Sequence, residues 1–340
     1  MELSSLYKAM KKTLLVGVLL FGTFFTACST KEVYEPKSVQ GEWEKYEESK
    51  NSIVDTSANI ALLDNGSVLT NKGIFATDIN ASQRVISHSN GWVITASIDG
   101  RVELISEADV NITKEIDLKK SIAGASIDGN DLAVLFADNE IAIYDLTTKQ
   151  PLFKEQEGKY IATDSRIVNP FFMRGLVLFA TLDGKVVFVN KDLKKRLRTV
   201  IVSSEEDFNN VISLSVIENK IVAATGYKIL SLSKKEFRVK YELRTIVDDG
   251  HTIFIATKQG EIISLTPDLQ VVSKIKLPFA HFYGMISVDD KLYVLEKEGY
   301  MIVVDKNSFD YTVHEVDFDD GYIFIANKIF YIDDKKILTK

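Results

Sequence analysis

Residues able to do metal or nucleophilic chemistry are few in this sequence and lie far apart. The 340 residues contain one cysteine, Cys28, and four histidines, His88, His251, His281 and His314. Metal motifs bring several ligands together at short fixed spacings, and no second Cys or His stands at such a distance here. Surface or turn positions are therefore expected for the histidines, and no metal is predicted. The alternative stays open that the fold brings distant segments together and so forms a metal site.

Motifs of enzyme active sites are also lacking in the sequence. It has no Gly-rich phosphate loop, no nucleophile elbow and no carboxylate pair of recognisable spacing. Asp99 and Asp183 each precede a glycine, and a turn is their simplest role, since an Asp side chain accepts hydrogen bonds from its own backbone. The prediction is a protein that is not an enzyme. The rival is a lyase or hydrolase with Asp, His or Arg side chains clustered on a shared axis.

The first 28 residues have the pattern of an export signal. Two lysines precede the apolar run Leu14 to Phe25, which is too short to span a membrane comfortably. The next residues complete Phe25-Thr26-Ala27-Cys28, and Met10 is as good a start as Met1. The sequence thus predicts a signal peptide at residues 1–27.

The end of this signal resembles a bacterial lipobox, in which the cysteine is lipidated and becomes the first residue of the mature protein. The resemblance implies lipidation, for example by palmitate, at Cys28; the alternative is an ordinary secretory signal with an incidental cysteine. Ser29 and Thr30 follow, with no Asp. By analogy with enterobacterial sorting this implies a lipid anchor in the outer membrane, on its periplasmic face, with surface exposure as the alternative.

Residues 28–57 are polar and have no sustained apolar period. They are predicted to form a tether behind the lipidated cysteine, with a short helix around residues 42–49. The formal net charge of the chain is −7, and −9 remains once the three lysines and one glutamate of residues 1–27 are removed. Nucleic-acid binding draws on concentrated Lys and Arg, so this acidic balance disfavours a nucleic-acid partner.

The strongest structural pattern is a β-hairpin from Leu176 to Asn190, LVLFATLDGKVVFVN. Its Asp183-Gly184 pair stands between two apolar runs, and Gly accepts the positive φ that a tight hairpin turn requires. The apolar residues are consecutive rather than alternating, so both faces of this strand pair must be covered. One hairpin cannot supply that cover, and other copies are required.

The same pattern occurs eight times. Its turn residues are Gly66, Gly100, Asn139, Gly184, Tyr227, Gly260, Gly299 and Asn327, at intervals of 28 to 45 residues. Weaker strand patterns lie between the hairpins, and repeats of this length with four strands each are typical of β-propellers. The sequence therefore predicts an all-β domain over residues 58–340, a single β-propeller of eight four-stranded antiparallel blades, with seven as the alternative. Ring closure is expected to pair N-terminal and C-terminal segments.

Three of the copies, ATLDGKVVFV, ASIDGRVELI and ATKQGEIISL, resemble the repeat of pyrroloquinoline-quinone-type β-propellers. With the lipobox, residues 28–340 resemble the BamB family, the propeller lipoproteins of the outer-membrane β-barrel assembly machinery. The resemblance implies a non-enzymatic periplasmic scaffold whose partners are the assembly core protein and barrel precursors. Quinone enzymes of this fold carry a vicinal Cys pair and several tryptophans, whereas this chain has only Trp43 and Trp92, so no cofactor is expected. A surface or periplasmic ligand-binding lipoprotein is the alternative.

Three stretches are candidates for partner contacts. The basic run 191–198, KDLKKRLR, is one, and an exposed outer strand that deters edge pairing is its plainer interpretation. The Phe- and Met-rich stretches 168–173 and 277–285 are the others, with inner-strand core as the alternative. The residues predicted as possible contacts are Lys194, Lys195, Arg196, Phe171, Phe172, Met173, Phe279, Phe282 and Tyr283.

Overall fold

The computed structural model describes residues 32–77, 79, 82–205, 207–319 and 321–339. The predicted signal peptide and Cys28 lie outside these residues. From Tyr34 onward the chain forms one compact unit. Within the described part of the chain, no helix has the length and apolar character needed to cross a membrane.

The fold is all β, a ring of eight four-stranded antiparallel sheets, as the sequence predicts. Each sheet is a blade, numbered here from the first whose strands are consecutive. Blades 1 to 4 contain β2 (Ile53–Ser57), β3 (Ile60–Leu63), β4 (Val68–Thr70), β5 (Gly73–Phe75); β6 (Gln83–Ser89), β7 (Trp92–Ser97), β8 (Arg101–Ser106), β9 (Thr113–Asp117); β10 (Ile122–Asp128), β11 (Asp131–Phe136), β12 (Glu140–Asp145), β13 (Pro151–Gln156); and β14 (Phe171–Met173), β15 (Leu176–Ala180), β16 (Lys185–Asn190), β17 (Lys195–Ile201).

The second half of the chain repeats this order. Blades 5 to 7 contain β18 (Ser213–Ile217), β19 (Lys220–Ala224), β20 (Lys228–Leu232), β21 (Glu236–Lys240); β22 (Leu243–Asp248), β23 (Ile253–Thr257), β24 (Glu261–Leu265), β25 (Val271–Lys276); and β26 (Phe282–Val288), β27 (Lys291–Glu296), β28 (Tyr300–Asp305), β29 (Tyr311–Glu315). Blade 8 contains β30 (Ile323–Ala326), β31 (Ile329–Ile332), β32 (Lys335–Leu338) and, as its outer strand, β1 (Tyr46–Glu48).

The middle strands of the blades carry the core. In blade 4, β15 pairs with β16 so that Leu178 faces Phe188 and Phe179 faces Val187, and all four side chains are buried. Clusters of buried apolar side chains join neighbouring blades. Leu104 of blade 2 and Leu132 of blade 3, for example, belong to the same cluster. Each large apolar side chain buried in this way stabilises the fold by about 1.5–3 kcal/mol. Blades thus cover each other's faces, which explains the consecutive apolar residues.

Ring closure does pair the two ends of the domain, by β1 adding to β32. The strand β1 falls where the sequence predicted a short helix, and β2 also precedes residue 58, the predicted start of the propeller. Upstream of β1, Tyr34 is 4% exposed and packs on the cluster of blades 6 and 7, while Trp43 packs on that of blades 7 and 8. Residues 34–57 are therefore part of the propeller. Two aromatic anchors and backbone bonds hold this segment, so it needs no apolar period.

The eighth predicted hairpin has a different place in its blade from the other seven. The first seven join the second and third strands, whereas the turn at Asn327 joins β30 to β31, the first and second strands of blade 8. Because this turn comes one connection earlier in its blade, it follows Gly299 after an unusually short interval. The second and third strands of blade 8 turn instead near Asp333, which has a φ of 48°.

One end of the ring is defined by the blade-to-blade connections, and it is called the connecting face below. The first strand of each blade begins there, and the turns between second and third strands return to it. First strands of adjacent blades contact one another around the ring axis, for example β2 with β6 and β22 with β26. The connecting face therefore brings together loops that are far apart in the sequence.

Candidate functional site

The connection between blades 3 and 4 runs across the ring axis. Its residues 164–169 are called the axial segment. The Nη1 atom of Arg166 donates a hydrogen bond of 2.6 Å to the carbonyl oxygen of Arg244 in blade 6. The amide nitrogen of Asn169 lies 3.5 Å from the side-chain oxygen of Asn59 in blade 1. Since blades 1 and 6 lie on different sides of the ring, the segment bridges them.

A buried asparagine fixes the start of the axial segment. Asn210 is fully buried in the connection before blade 5, and its side-chain oxygen accepts the Asp164 backbone N–H at 2.7 Å. Its amide group donates to the carbonyls of Asp164 and Arg166 at 3.2 and 2.9 Å. The Arg166 guanidinium in turn pairs with the Asp164 carboxylate, with an Nε to Oδ1 distance of 2.8 Å. These bonds hold Arg166 in one orientation.

A cavity of about 410 Å³ opens between the axial segment and blades 5 to 7. Three cationic side chains line it, those of Arg166, Arg244 and Lys258. Its aromatic lining residues are Phe208, Tyr227, Phe282 and Tyr283. This cavity is called the axial pocket. Its volume lies in the range of small-ligand sites, about 300–1,000 Å³.

The axial pocket is lined by more positively than negatively charged side chains. Burial alone would raise the pKa of the Asp164 carboxyl, but the Arg166 guanidinium, together with Lys258, outweighs burial and holds that pKa below its usual value. Burial lowers the pKa of Arg244 and the nearby charge of Arg166 lowers it further, while the Asp164 carboxylate offsets only part of this. The Arg244 Nε atom is buried and has no hydrogen-bond partner within the described residues. Among the described residues, the pocket thus holds a partly desolvated cation that forms no ion pair of its own, since the Asp164 carboxylate is paired with Arg166.

The aromatic lining adds a second kind of contact. The Lys258 ammonium lies 5.6 Å from the centre of the Tyr227 ring, a cation–π distance. Phe208 is 49% exposed and has a φ of 50°. Tyr283 packs against the cluster of blades 7 and 8. The pocket therefore presents apolar ring surface beside its positive charge.

The basic run of the sequence is largely neutralised by the neighbouring blade. Lys194 pairs with Asp131 of blade 3, and Arg196 pairs with Glu155 of blade 3 and with Glu157, the first residue after that blade. These ion pairs make Lys194 and Arg196 inter-blade contacts, and their role as partner contacts stays a prediction. Lys195 remains exposed on the outer strand β17. The sequence shows the positive charges, but only the fold shows that acidic side chains of the neighbouring blade lie against them.

The predicted aromatic contacts divide between core and surface. Phe282 is 2% exposed and belongs to the core of blades 6 and 7, which fits the core interpretation better than a surface contact. Phe172 and Met173 are half-buried and pack on the clusters beside blade 4. Phe171 and Phe279 are 41% and 57% exposed, at or just before the first strands of blades 4 and 7. Both therefore belong to the connecting face.

The four histidines lie in separate environments. His88 pairs with Glu107, His251 pairs with Glu218, His281 lines the axial pocket and His314 packs edge-on against Trp43. No group of three His, Cys, Asp or Glu side chains suited to a metal occurs among the described residues. The histidine sites thus have no shared location in this part of the chain.

The Asp-Gly pairs take the turn role that the sequence predicts. The Asp183 carboxylate accepts a hydrogen bond of 2.6 Å from the Thr181 hydroxyl and pairs with Lys185. Burial would raise the pKa of Asp183, but these partners together hold it below its usual value. Asp99 accepts a hydrogen bond from the Ser97 hydroxyl in the equivalent turn of blade 2.

Sequence reasoning missed the axial pocket. Its cations come from three separate parts of the chain, the axial segment, the start of β22 and the turn after β23. None of these carries a motif. The one signal available was the length of the connection between β13 and β14, residues 157–170, where a polar stretch follows a complete blade.

Comparison with known proteins gives relatives in sequence and in structure. No family model matches the chain. Two curated relatives are named plasminogen-binding protein PgbB, from Helicobacter pylori strains J99 and 26695. They are 29% and 28% identical over 367 aligned residues, which cover 90% of this chain and 68% and 67% of the relatives. The similarity therefore extends through nearly the whole propeller.

Solved structures share the fold at much lower identity. BamB from Moraxella catarrhalis superposes with a TM-score of 0.66 and 11% identity, covering 86% of this chain and 98% of that one. The computationally designed Ika8 protein gives a TM-score of 0.61 and 14% identity, covering 88% and 98%. Apo AztD from Citrobacter koseri gives 0.53 and 11%, covering 78% and 86%. These likenesses show the β-propeller fold of the chain.

Proposed function

We propose that this protein is a non-enzymatic propeller of the bacterial cell envelope that binds a protein partner, and that plasminogen is such a partner. The observation that carries the proposal is the similarity to plasminogen-binding proteins along 90% of the chain. It corresponds to the ligand-binding alternative of the sequence analysis. A rigid ring that presents loops on one face suits binding, because the blades hold the loops in place.

The exposed aromatic residues of the connecting face are the contacts we propose. Phe171 and Phe279 are exposed there. Large aromatic side chains dominate the binding energy of many protein interfaces because they bury much apolar surface on association. Lys195, exposed on the outer strand of blade 4, is a further candidate for contact with an acidic partner.

The test is surface plasmon resonance of immobilised protein with plasminogen. We expect saturable binding that weakens at least about tenfold in the double variant Phe171→Ser/Phe279→Ser. The matched control is Val272→Ser, which removes an apolar side chain that is 62% exposed on the outer strand β25 of blade 6. Absence of saturable binding by the folded protein would contradict the plasminogen proposal. Equal binding by the double variant and the control would move the contact away from these residues.

The second candidate function is that of a BamB-like scaffold in outer-membrane protein assembly. The lipobox-like ending at Cys28 and the repeat resemblance favour it, and this function would place the protein, anchored by its lipid, on the periplasmic face of the outer membrane. Affinity purification from solubilised membranes is the test, with recovery of the β-barrel assembly core protein expected. Protease shaving of intact cells separates the two candidates, since a purely periplasmic protein is protected and a surface protein is digested.

A further inference from the structure

The axial pocket has the features of a ligand site. We propose that it binds a small organic oxyanion, a carboxylate or phosphate ester attached to an apolar or aromatic body. Arg244 and Lys258 bind the charged group, and the aromatic lining covers the body. This proposal is independent of the plasminogen and assembly proposals, since it concerns a pocket that takes a small molecule.

The charge balance of the pocket carries the first step of the argument. Arg166 is matched by Asp164, which it contacts through two nitrogens. Among the described residues, Arg244 and Lys258 form no ion pair, because the one carboxylate of the lining, Asp164, is paired with Arg166. A partly buried guanidinium has lost part of its hydration, and an anion brought to it restores that interaction. The lining therefore has three cationic side chains and one carboxylate, in a chain whose formal net charge is −7.

The second step concerns the geometry of the donors. The axial segment and Asn210 hold Arg166, and Arg166 holds the backbone of Arg244 by its hydrogen bond to the carbonyl. The buried Nε atom of Arg244 has no acceptor in the described part of the protein. A planar guanidinium donates two parallel hydrogen bonds to a carboxylate or to two phosphate oxygens. Because the backbone of Arg244 is already held, binding an anion needs to order only its side chain, which lowers the ordering cost.

The third step concerns size and apolar surface. A cavity of about 410 Å³ accommodates more than a bare inorganic ion, and Phe208, Tyr227 and Tyr283 provide ring surface beside the cations. Polar groups that fix orientation within a partly apolar lining are the usual composition of small-molecule sites. This favours an anion with an apolar body over phosphate or sulfate alone.

Isothermal titration calorimetry of the full protein with benzoate, phenyl phosphate and inorganic phosphate tests the proposal. We expect benzoate or phenyl phosphate to bind at least about tenfold more tightly than inorganic phosphate. The preference between the first two identifies carboxylate or phosphate as the preferred group. Binding is expected to weaken as salt rises, because ions screen the charge attraction.

Two variants and one control localise the binding. Arg244→Met and Lys258→Met are each expected to weaken it about tenfold or more. Lys297→Met is the matched control, since Lys297 stands in blade 7 at the turn position that Lys258 occupies in blade 6 and does not line the pocket. Should Arg244→Met fail to fold by circular dichroism, Lys258→Met carries the test, because that side chain lies on an exposed turn.

Two results would overturn the proposal. One is that neither aromatic anion gives saturable binding at millimolar concentration. The other is that binding persists unchanged in both pocket variants, or falls equally in Lys297→Met, which would place the anion elsewhere. Plasminogen binding by the same samples is read separately, so failure of one proposal leaves the other distinguishable.

Discussion

Gly184 shows at the scale of one residue why a hairpin turn in this fold accepts so little change. Its φ is 83°, in the left-handed region. An added Cβ would lie 2.6 Å from the Ser203 carbonyl oxygen, in the connection that leaves the same blade. The turn is therefore constrained twice, by its own backbone conformation and by the chain packed over it.

The first prediction separates these two constraints. Gly175 in the same blade has a φ of 77° and nothing within 4 Å of an added Cβ. Gly175→Ala is expected to cost about 1–2 kcal/mol from backbone strain. Gly184→Ala is expected to cost about 2 kcal/mol more, because backbone atoms must move. Urea denaturation of both variants gives the two free energies of unfolding. Equal losses would show that the packed connection yields without cost.

The second prediction concerns the basic run of blade 4. The Glu157 side chain is 4% exposed and is paired with Arg196 across the blade boundary. Arg196→Met leaves this carboxylate poorly compensated, and we expect a loss of about 1–3 kcal/mol in the free energy of unfolding. Lys195→Met, one position away on the exposed side, is expected to change it by less than about 0.5 kcal/mol. Denaturant titration of the two variants compares them directly. A loss in Lys195→Met as large as in Arg196→Met would refute the distinction.

At the scale of elements, the sequence predicted strands that pair with a neighbour in the chain better than strands that pair with a distant segment. The hairpin of β15 and β16 was predictable because its turn residues and apolar runs are contiguous, and the pairing is local. Closure between the two ends of the domain was expected, but the strand β1 that makes it was predicted as a helix, because its partner β32 lies at the other end of the domain. Trp43 makes the same point, since its indole N–H donates to the Leu338 carbonyl at 3.0 Å. Local patterns carry no information about such a partner.

The third prediction concerns pH and the packing of this closing segment. The ring centres of His314 and Trp43 lie 5.3 Å apart, and burial lowers the pKa of His314 below its ordinary value of 6.5. The unfolded state therefore takes up a proton before the folded state does as pH falls. The contribution of neutral His314 to stability is complete above pH 6.5 and is lost as pH falls through the folded pKa.

Denaturation at about pH 7.5 and about pH 5.5 measures this effect. The wild-type protein is expected to lose more unfolding free energy between these values than His314→Gln, which cannot take up the proton. His251→Gln is the control, since that side chain is 81% exposed. It is expected to show the wild-type pH dependence. If His314→Gln shows that dependence too, another group titrates in this range.

At the scale of the molecule, the closed ring forms the axial pocket, which no single segment of the chain contains. The axial segment, the start of β22 and the turn after β23 supply Arg166, Arg244 and Lys258, and they meet only because the ring brings them to one face. The count of blades could be predicted from repeats, since each copy carries its own pattern. The axial pocket could not, because its composition depends on which loops the closed ring places side by side.

The last prediction tests closure of the whole ring by one strand. Both variants lack residues 34–42. The first variant also lacks residues 43–50. In the second variant, residues 43–50 are moved to follow residue 339, joined to it by a linker of about three glycines. The register places Tyr46 opposite Ile337 and Glu48 opposite Lys335, antiparallel, so the moved strand would form a hairpin with β32.

The first variant exposes the unpaired edge of β32, and we expect it to unfold at lower urea concentration and to form oligomers by edge pairing. The second is expected to recover most of the difference and to elute as a monomer in size-exclusion chromatography. Because both variants lack Tyr34 and the contacts of residues 34–42, the difference between them reports residues 43–50, the segment of β1 and Trp43. Equal stability of the two would mean that blade 8 holds its place through its inner strands, with β1 adding nothing to the closure of the ring.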